Sequence, residues 1–295
     1  MAEWLRRGLQ ILARRFDSGS GLQRREPERP PGTDAMPVGS IVTRVVRKRM
    51  QPNWIPYCGA APGPGEWLGR WNVDPPLLAG FAAAAVSWHL AIGRVEPARR
   101  KWFGAAFALL LILFVSPFCA LTSALFSARV VHHVLLTAVV APLLVLSFPR
   151  DRLRVPGSLL LWTALHALTF WAWHTPGLYA LALSNDALYW LMQASLLGSA
   201  FAMWAALRRA PVPAAVGALL ATTVQMGLLG ALITFSLSPL YAPHFATTLP
   251  WGFAALEDQQ LGGLIMWAPA AGLYLGAALF LASRWLAGES RAAAR

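Results

Sequence analysis

The sequence is poor in charge and in cysteine. Only 13% of its 295 residues are charged and 57% are hydrophobic, whereas a soluble domain carries about 25% charged residues. This composition excludes an ordinary globular enzyme and predicts an all-α protein that crosses a membrane several times. The two cysteines, Cys58 and Cys119, form no CxxC metal motif, and we expect no disulfide framework.

Several chemical motifs are also missing. We find no serine-protease, P-loop or dinucleotide-binding motif. The only lysines, Lys48 and Lys101, lie outside the apolar segments, which excludes a retinal Schiff base. His133 and His174 would supply one pair of b-type haem ligands, but no second pair is arranged across the bilayer. The sequence therefore predicts a protein that is not an enzyme.

The net charge of +12 does not predict a nucleic-acid partner. Residues 1–49 hold 11 Lys+Arg and 5 Asp+Glu, and residues 50–295 hold 14 and 8, so each part contributes +6. In the second part the basic residues lie between apolar segments, where they orient a membrane protein. The partner predicted by this pattern is the lipid bilayer, with no nucleic acid.

The chain divides into four parts by composition. Residues 1–49 are rich in Arg, Pro and Gly and predict a disordered basic extension. A surface-bound amphipathic helix at residues 4–16 is an alternative, and a third is that translation starts at Met50. Residues 50–76 predict a loop outside the membrane, residues 77–287 a transmembrane domain, and residues 288–295 a cytoplasmic tail.

The transmembrane domain is predicted to contain seven helices. Each apolar segment is near the roughly 20 residues that cross the hydrocarbon. The segments are residues 77–93, 102–120, 128–148, 156–174, 187–207, 213–237 and 259–286. Ser116 to Ser127, between the second and third segments, predicts a short interfacial turn or helix.

The basic residues of the loops predict an orientation. They are concentrated after segments one, three, five and seven: Arg94, Arg99, Arg100, Lys101, Arg150, Arg152, Arg154, Arg208, Arg209, Arg291 and Arg295. The alternate loops hold only Arg129. Because basic loops stay in the cytoplasm, we expect an N-terminus outside and a cytoplasmic C-terminus in a bacterial inner membrane.

With this orientation, several polar side chains reach one depth near the outer surface. They are His132, His133, His174, Asp258, Gln259 and Met266. Imidazole with thioether is a ligand set that suits copper, and methionine favours Cu(I). Each residue also has a structural interpretation: a histidine hydrogen-bonds at an interface, a methionine packs, and Asp258 caps a helix. The metal-site hypothesis therefore rests on the common depth.

A set of segments along the chain is similar to a known family. They are Pro56-Tyr57-Cys58-Gly59, Arg70-Trp71-Asn72-Val73-Asp74-Pro75, Leu125-Phe126-Ser127-Ala128 leading to His133, Trp173-His174, Pro239-Leu240-Tyr241, Asp258-Gln259-Gln260-Leu261 and Gly263-Leu264-Ile265-Met266-Trp267. Together they resemble the multi-span CtaG-like cytochrome c oxidase assembly factors. The resemblance implies a role in maturing the oxidase and helping copper reach its centres.

The resemblance also implies site residues. The family's histidine in the third span corresponds to His133 and its Trp-His to His174. Its Asp-Gln-Gln and Met correspond to Asp258, Gln259, Gln260 and Met266. Two positions depart from the family. The chain has Val130-Val131-His132-His133 where members often have Met-x-Gln-His, and Met192-Gln193 where many have Glu-His. His132 or the Met192-Gln193 pair would then replace a ligand.

The functional expectation is a non-enzymatic assembly factor with a Cu(I) site facing the periplasm. His133, His174 and Met266 are the expected ligands, while His132, Asp258 and Gln259 lie nearby or orient them. Cys58 is a further candidate for handing the metal on. The expected partners are cytochrome c oxidase subunits or copper chaperones. A copper transporter and a metal-free scaffold for oxidase subunits are the alternatives.

Overall fold

The computed structural model describes residues 54–92 and 97–293, and the regular elements in these ranges are all helical. The extension predicted at residues 1–49 and the alternative start at Met50 lie outside the described residues. Residues 54–74 form turns with one 3₁₀ turn, Trp67–Gly69. The all-α prediction therefore agrees with the described part of the chain.

The helices follow the predicted segments closely. They are α1 (Pro75–Ile92), α2 (Pro97–Phe114), α3 (Pro117–Ala124), α4 (Phe126–Ser147), α5 (Leu159–Trp173), α6 (Pro176–Ala182), α7 (Asp186–Leu207), α8 (Val212–Thr234) and α9 (Ala255–Gly288). The junction predicted between segments two and three is helix α3, which Ser116 caps by accepting a hydrogen bond from the Phe118 amide. The predicted tail begins as a continuation of the last helix, to Ala293.

Several of these helices are long and apolar enough to cross a membrane. In the described ranges α4, α7, α8 and α9 meet this condition, and α2 with α3 makes a fifth span if the pair, bent by 50°, is counted as one. Helix α5 has 15 residues, fewer than the roughly 20 that a span needs. The structure supports four or five spans, and the count of seven stays a prediction.

Helix α4 lies at the centre of the packing. In the most apolar stretch of this helix 61% of the residues are buried, the largest share among the candidate spans. It contacts α2, α7 and α9 along its length, and its inward side chains include Leu136, Val140 and Val145. The outer helices instead expose leucines such as Leu228 and Leu279, as expected of a surface that faces lipid. The residues of α4 are therefore held by neighbours on several sides.

Two helices contain a π-helical turn beside a candidate ligand. In α4 the turn Leu135–Val140 begins two residues after His133, and in α9 the turn Met266–Ala270 begins at Met266. Pro269 lies inside the second turn and lacks the amide that a regular helix would use. Such wide turns often occur at functional sites because they redirect side chains.

Glycines let α8 and α9 approach each other at backbone distance. A Cβ added to Gly263 would lie 2.8 Å from the Gly230 carbonyl oxygen and 2.7 Å from the Thr234 nitrogen. A Cβ on Gly230 would lie 2.7 Å from the Trp267 nitrogen. This close approach of the two backbones holds the part of α9 that adjoins Met266 against α8.

The basic loops gather at one end of the bundle. Arg99 and Arg208 donate to the Phe148 carbonyl oxygen at 2.8 Å each, and Arg208 also donates to Val145. These carbonyls end α4, so the arginines complement the negative end of that helix. Burial lowers the pKa of Arg208, and the neighbouring arginines lower it as well.

A disulfide bond lies at the opposite end. Cys58, in the segment before α1, is bonded to Cys119 of α3, with the Cα atoms 5.4 Å apart. The expectation of no disulfide was wrong, because a separation of 61 residues does not reveal that the two thiols meet in the fold. The metal hand-off proposed for Cys58 is also wrong, because its sulfur is bonded to that of Cys119 and is not a free thiol.

Candidate metal site

A single carboxylate fixes the start of α4. Asp258 of α9 accepts hydrogen bonds from the Phe126 amide at 2.6 Å and from the amide and hydroxyl of Ser127. These are amides that a helix leaves unpaired at its N-terminus, where a negative charge is favourable. The cap predicted for Asp258 therefore acts on α4, while Glu257 caps its own helix by accepting from the Ala254 amide.

The structure brings His133 and His174 together. Their ring centroids are 5.5 Å apart and the rings are nearly perpendicular, at 87°. His133 lies two turns into α4, and His174 ends α5. Both side chains are buried. Because an imidazole nitrogen binds an ion such as zinc at about 2.0 Å, one small metal ion fits between two rings at this separation.

The hydrogen bonds of this pair favour metal binding. The Nδ1 atom of His174 donates to the Phe170 carbonyl oxygen at 2.7 Å, which leaves the lone pair on Nε2. That Nε2 atom and both nitrogens of His133 are buried without a hydrogen-bond partner. A ligand histidine characteristically donates its other N–H to a carbonyl, and His174 has this arrangement.

His132 adjoins the pair but faces a different wall. Its ring centroid is 5.8 Å from that of His133. Phe114 packs edge-on against it at 4.9 Å, and Phe118 stacks parallel to it at 6.3 Å. Both nitrogens of His132 are buried, and Gln193 of α7 is the hydrogen-bonding neighbour of this ring.

Met266 and the Met192-Gln193 pair are buried as well. Met266 is fully enclosed at the start of the π-helical turn of α9, a turn that contacts the first half of α4. Met192 is fully enclosed in α7, and the buried amide of Gln193 is a hydrogen-bonding neighbour of His132 and Tyr189. The three residues supply two thioethers and an amide from helices that contact α4.

Gln259 serves the loop after α8. Its Oε1 atom accepts from the Leu240 amide at 2.6 Å, and its Nε2 atom donates to the Ile233 carbonyl oxygen at 3.3 Å. Like Asp258, it directs its side chain to backbone groups. None of the hydrogen bonds of these two residues is to the histidine pair.

Two other buried histidines have hydrogen bonds of their own. His244 accepts from the Tyr179 hydroxyl at 2.6 Å through Nε2 and donates to the Ala124 carbonyl at 3.3 Å through Nδ1. Burial and then the positive charge of Arg129 lower the pKa of His244 to about 3. His166 pairs with Ser199 at 3.1 Å. Neither histidine is paired with His133 or His174 by these hydrogen bonds.

Sequence reasoning missed the role of Arg129. It was assigned to a loop, but it lies in the first turn of α4 and is fully buried. Its hydrogen-bonding neighbours are the hydroxyl groups of Tyr179 and Tyr189. The signal was available in its spacing, because Arg129, His132 and His133 stand at i, i+3 and i+4 and thus share one helix face.

The electrostatics around Arg129 are unbalanced. A buried charge that loses its partner costs about 3–5 kcal/mol. The contact of the Arg129 guanidinium with the face of the Tyr189 ring, at 5.4 Å, contributes about 2 kcal/mol or more where water is excluded. Burial raises the pKa of Tyr179, and the charge of Arg129 lowers it. Asp258 has both oxygens engaged with α4. The guanidinium therefore lacks a direct counter-charge among these neighbours.

The donor set limits the kind of metal site. Among the described residues no group of three or more His, Cys, Asp or Glu side chains could hold a metal ion. A site built on His133 and His174 therefore has to recruit a sulfur or an amide for further coordination. Soft, low-coordinate Cu(I) accepts such a set, whereas structural zinc uses four cysteine or histidine ligands.

Comparison with known proteins supports one family. The family model described as cytochrome c oxidase caa3 assembly factor (Caa3_CtaG) matches residues 79–288. The match spans more than half of the chain and includes the histidine pair and Met266. No curated protein and no solved structure matches.

Proposed function

The chain belongs to the cytochrome c oxidase caa3 assembly factor family, and from this premise we propose that it assists oxidase assembly by binding Cu(I) as cargo. His133, His174 and Met266 are the proposed ligands, and His132 lies beside them. The family supports the assembly role, and the copper role rests on the chemistry of the buried donors.

One observation carries the copper proposal: adjacent, buried imidazole nitrogens without hydrogen bonds. Buried polar atoms are nearly always paired, so the free Nε2 of His174 and the lone-pair nitrogen of His133 call for a ligand that accepts lone pairs. A soft monovalent metal ion satisfies the same atoms, and the sulfur of Met266 adds a matching donor.

We further propose seven spans with the N-terminus outside and the C-terminus in the cytoplasm. The disulfide end of the bundle would face the periplasm of a bacterial inner membrane, because disulfides persist in oxidising compartments. The arginine-rich end would face the cytoplasm. The histidine pair then lies near the outer surface, where an oxidase subunit or a copper chaperone exchanges the ion.

The test is a Cu(I) titration of the purified protein against a chromophoric chelator, without oxygen. We expect His133→Gln, His174→Gln and Met266→Leu each to lower the affinity more than about tenfold. His166→Gln is the matched control, because it is a buried histidine of the same helix as His174, two turns away. Equal affinity in all five proteins would contradict the copper proposal and leave the assembly role standing.

Copper transport is the weaker alternative. A path across the bilayer needs polar groups on the far side of Met266. Thr222 instead donates to the Ala218 carbonyl, Gln225 accepts from the Trp171 indole, and His89 is exposed. Protein-dependent copper uptake by proteoliposomes would favour transport, and binding without uptake favours assembly.

A metal-free scaffold is favoured by one separate feature. A largely apolar cavity of about 440 Å³ lies between α1, α2 and α7, lined among others by Phe81, Leu110 and Leu197. Such a surface suits an apolar partner. A scaffold predicts that His133→Gln and His174→Gln leave oxidase activity intact in cells and that only variants of the cavity reduce it.

A further inference from the structure

We propose that four arginines at the end of the bundle opposite the disulfide form a binding site for the headgroup of an anionic phospholipid. They are Arg99 at the start of α2, Arg150 in the loop after α4, and Arg208 and Arg209, which directly follow α7. The guanidinium groups bind the phosphate, and the exposed last turn of α4 receives an acyl chain. The site uses none of the proposed copper ligands.

The backbone at the end of α4 draws two of these guanidinium groups together. One nitrogen of Arg99 and one of Arg208 each donate to the Phe148 carbonyl oxygen at 2.8 Å, so the two groups are neighbours across a single oxygen atom. Arg208 also donates to the Val145 carbonyl oxygen at 2.8 Å. The carbonyls at the end of a helix carry only about half a negative charge in total. They therefore position the two guanidinium groups without balancing their charge.

Arg209 brings the third and fourth arginines into the same place. Its Nε atom donates to the Leu153 carbonyl oxygen at 3.0 Å, and a terminal nitrogen donates to the Arg150 carbonyl oxygen. These bonds hold the loop after α4 against the end of α7, and they use only part of the five N–H donors of an arginine. Arg150 and Arg209 are both exposed, so a headgroup reaches them from the aqueous side and needs no enclosed cavity.

The charge around these arginines is strongly positive. The three basic segments, residues 94–101, 150–154 and 208–209, together hold nine Lys+Arg and two Asp+Glu, a net charge of +7. Burial lowers the pKa of Arg208, and the other three arginines of the site lower it further. Their repulsion therefore reaches the Arg208 guanidinium. An anion bound among the four groups removes this repulsion.

The surroundings favour a phosphate that carries an apolar chain. Guanidinium groups bind phosphate oxygens through paired N–H···O bonds, and basic residues at the ends of transmembrane helices bind anionic headgroups. Leu146 lies between Val145 and Phe148, whose carbonyls bind the arginines, and its side chain is exposed. A free phosphate ion satisfies the guanidinium groups alone, whereas a phospholipid also covers this leucine.

The experiment is thermal unfolding of the purified protein in mixed micelles at one total lipid concentration. Phosphatidylcholine is replaced stepwise by phosphatidylglycerol at constant ionic strength. We expect the unfolding midpoint to rise with the fraction of phosphatidylglycerol and to saturate, as a single-site ligand requires. Inorganic phosphate at the same concentration should leave the midpoint unchanged, because it has no chain to cover Leu146.

Two variants test the arginines themselves. Arg209→Gln and Arg150→Gln should each raise the phosphatidylglycerol fraction at half-saturation about fivefold, the loss expected of one arginine beside an anionic headgroup. The matched control is Arg284→Gln, which removes an exposed arginine of α9 that lies over the Phe280 ring of its own helix, and it should behave like the wild type. If Arg209→Gln does not fold, Arg150→Gln decides, because it keeps the backbone carbonyl that Arg209 binds.

Equal midpoints of the wild-type protein in the two lipids would overturn the proposal. An equal loss in Arg284→Gln and Arg209→Gln would also overturn it, because it would indicate diffuse attraction to an anionic surface. A rise reproduced by inorganic phosphate would show a site for a free anion and contradict the lipid assignment. Native mass spectrometry gives the stoichiometry: about one phosphatidylglycerol retained per wild-type chain supports a single site, and none contradicts it. Copper is absent throughout, so the outcome is independent of the copper proposal.

Discussion

Individual side chains at the disulfide end divide into two kinds. Asp258, Gln259 and His244 make hydrogen bonds that hold backbone segments in place. The ring nitrogens of His133 are equally buried but lack partners. The first kind determines where the second kind is held, because the Asp258 cap sets the start of α4, from which His133 projects.

At this scale we predict that Asp258→Asn destabilises the protein. An amide keeps one acceptor but loses the charge at the helix N-terminus, and loss of an N-cap costs about 0.5–2 kcal/mol. The measurement is the unfolding midpoint in detergent. Asp151→Asn, at an exposed loop position, is the control, and an equal midpoint for both variants would show that Asp258 does not cap α4.

We predict that the stability of the folded protein depends on pH through His244. Burial and the charge of Arg129 hold its pKa at about 3 in the folded protein, against 6.5 for the free side chain. Below about pH 6.5 the unfolded chain therefore binds a proton that the folded protein does not bind. The free energy of unfolding is unaffected by this group above about pH 6.5 and falls as the pH decreases toward 3. We expect His244→Gln to flatten the fall of the unfolding midpoint between pH 7 and pH 4.5. A curve parallel to that of the wild type would contradict this.

At the residue scale, the sequence predicted the positions of some side chains but not their hydrogen bonds. Histidine positions relative to the apolar segments were enough to predict that His133 and His174 lie at one depth. The hydrogen bonds of Asp258 and Gln259 were not predictable, because their acceptors and donors lie on other elements. Arg129 was misassigned because a single arginine at a segment boundary is typical of a loop.

Among the helices, α9 contributes most to the proposed site. Its glycines allow α8 to pack at backbone distance, and its π-helical turn begins at Met266. The helices themselves were predictable from apolar runs of sufficient length. The π-helical turns and the 50° bend between α2 and α3 were not, because their cause is local packing that hydropathy does not record.

For this element we predict that Gly263→Val prevents close packing of α8 and α9. Its Cβ would meet the Gly230 carbonyl oxygen and the Thr234 nitrogen at less than 3 Å, and neither backbone atom can move independently. We expect a lower unfolding midpoint and weaker Cu(I) binding, since Met266 is displaced. Gly272→Val is the control, because no atom lies within 4 Å of the corresponding Cβ.

The molecule as a whole has two chemically different ends. One is tied by the disulfide and the Asp258 cap, and the other by arginines that donate to the carbonyls ending α4. The loop charges predicted the basic end. The disulfide was missed because one cysteine lies in an irregular segment and the other in a short helix, where no periodicity relates them.

At the whole-molecule scale we predict a stabilising role for the disulfide. Replacing Cys58 and Cys119 together by serine removes a cross-link between residues 61 apart, which costs about 2–4 kcal/mol in typical proteins. The check is the unfolding midpoint of the double variant beside that of the wild type with and without reductant. A double variant as stable as the oxidised protein would contradict the prediction.

The most direct test of the central claim measures the oxidase in cells. Strains carrying the wild type, His133→Gln, His174→Gln or the His166→Gln control are grown at limiting copper, and the copper content and activity of the purified oxidase are determined at matched levels of the assembly factor. The account predicts copper-deficient, weakly active oxidase with the first two variants alone, and recovery when copper is supplied in excess. Fully copper-loaded oxidase with all variants at limiting copper would contradict it.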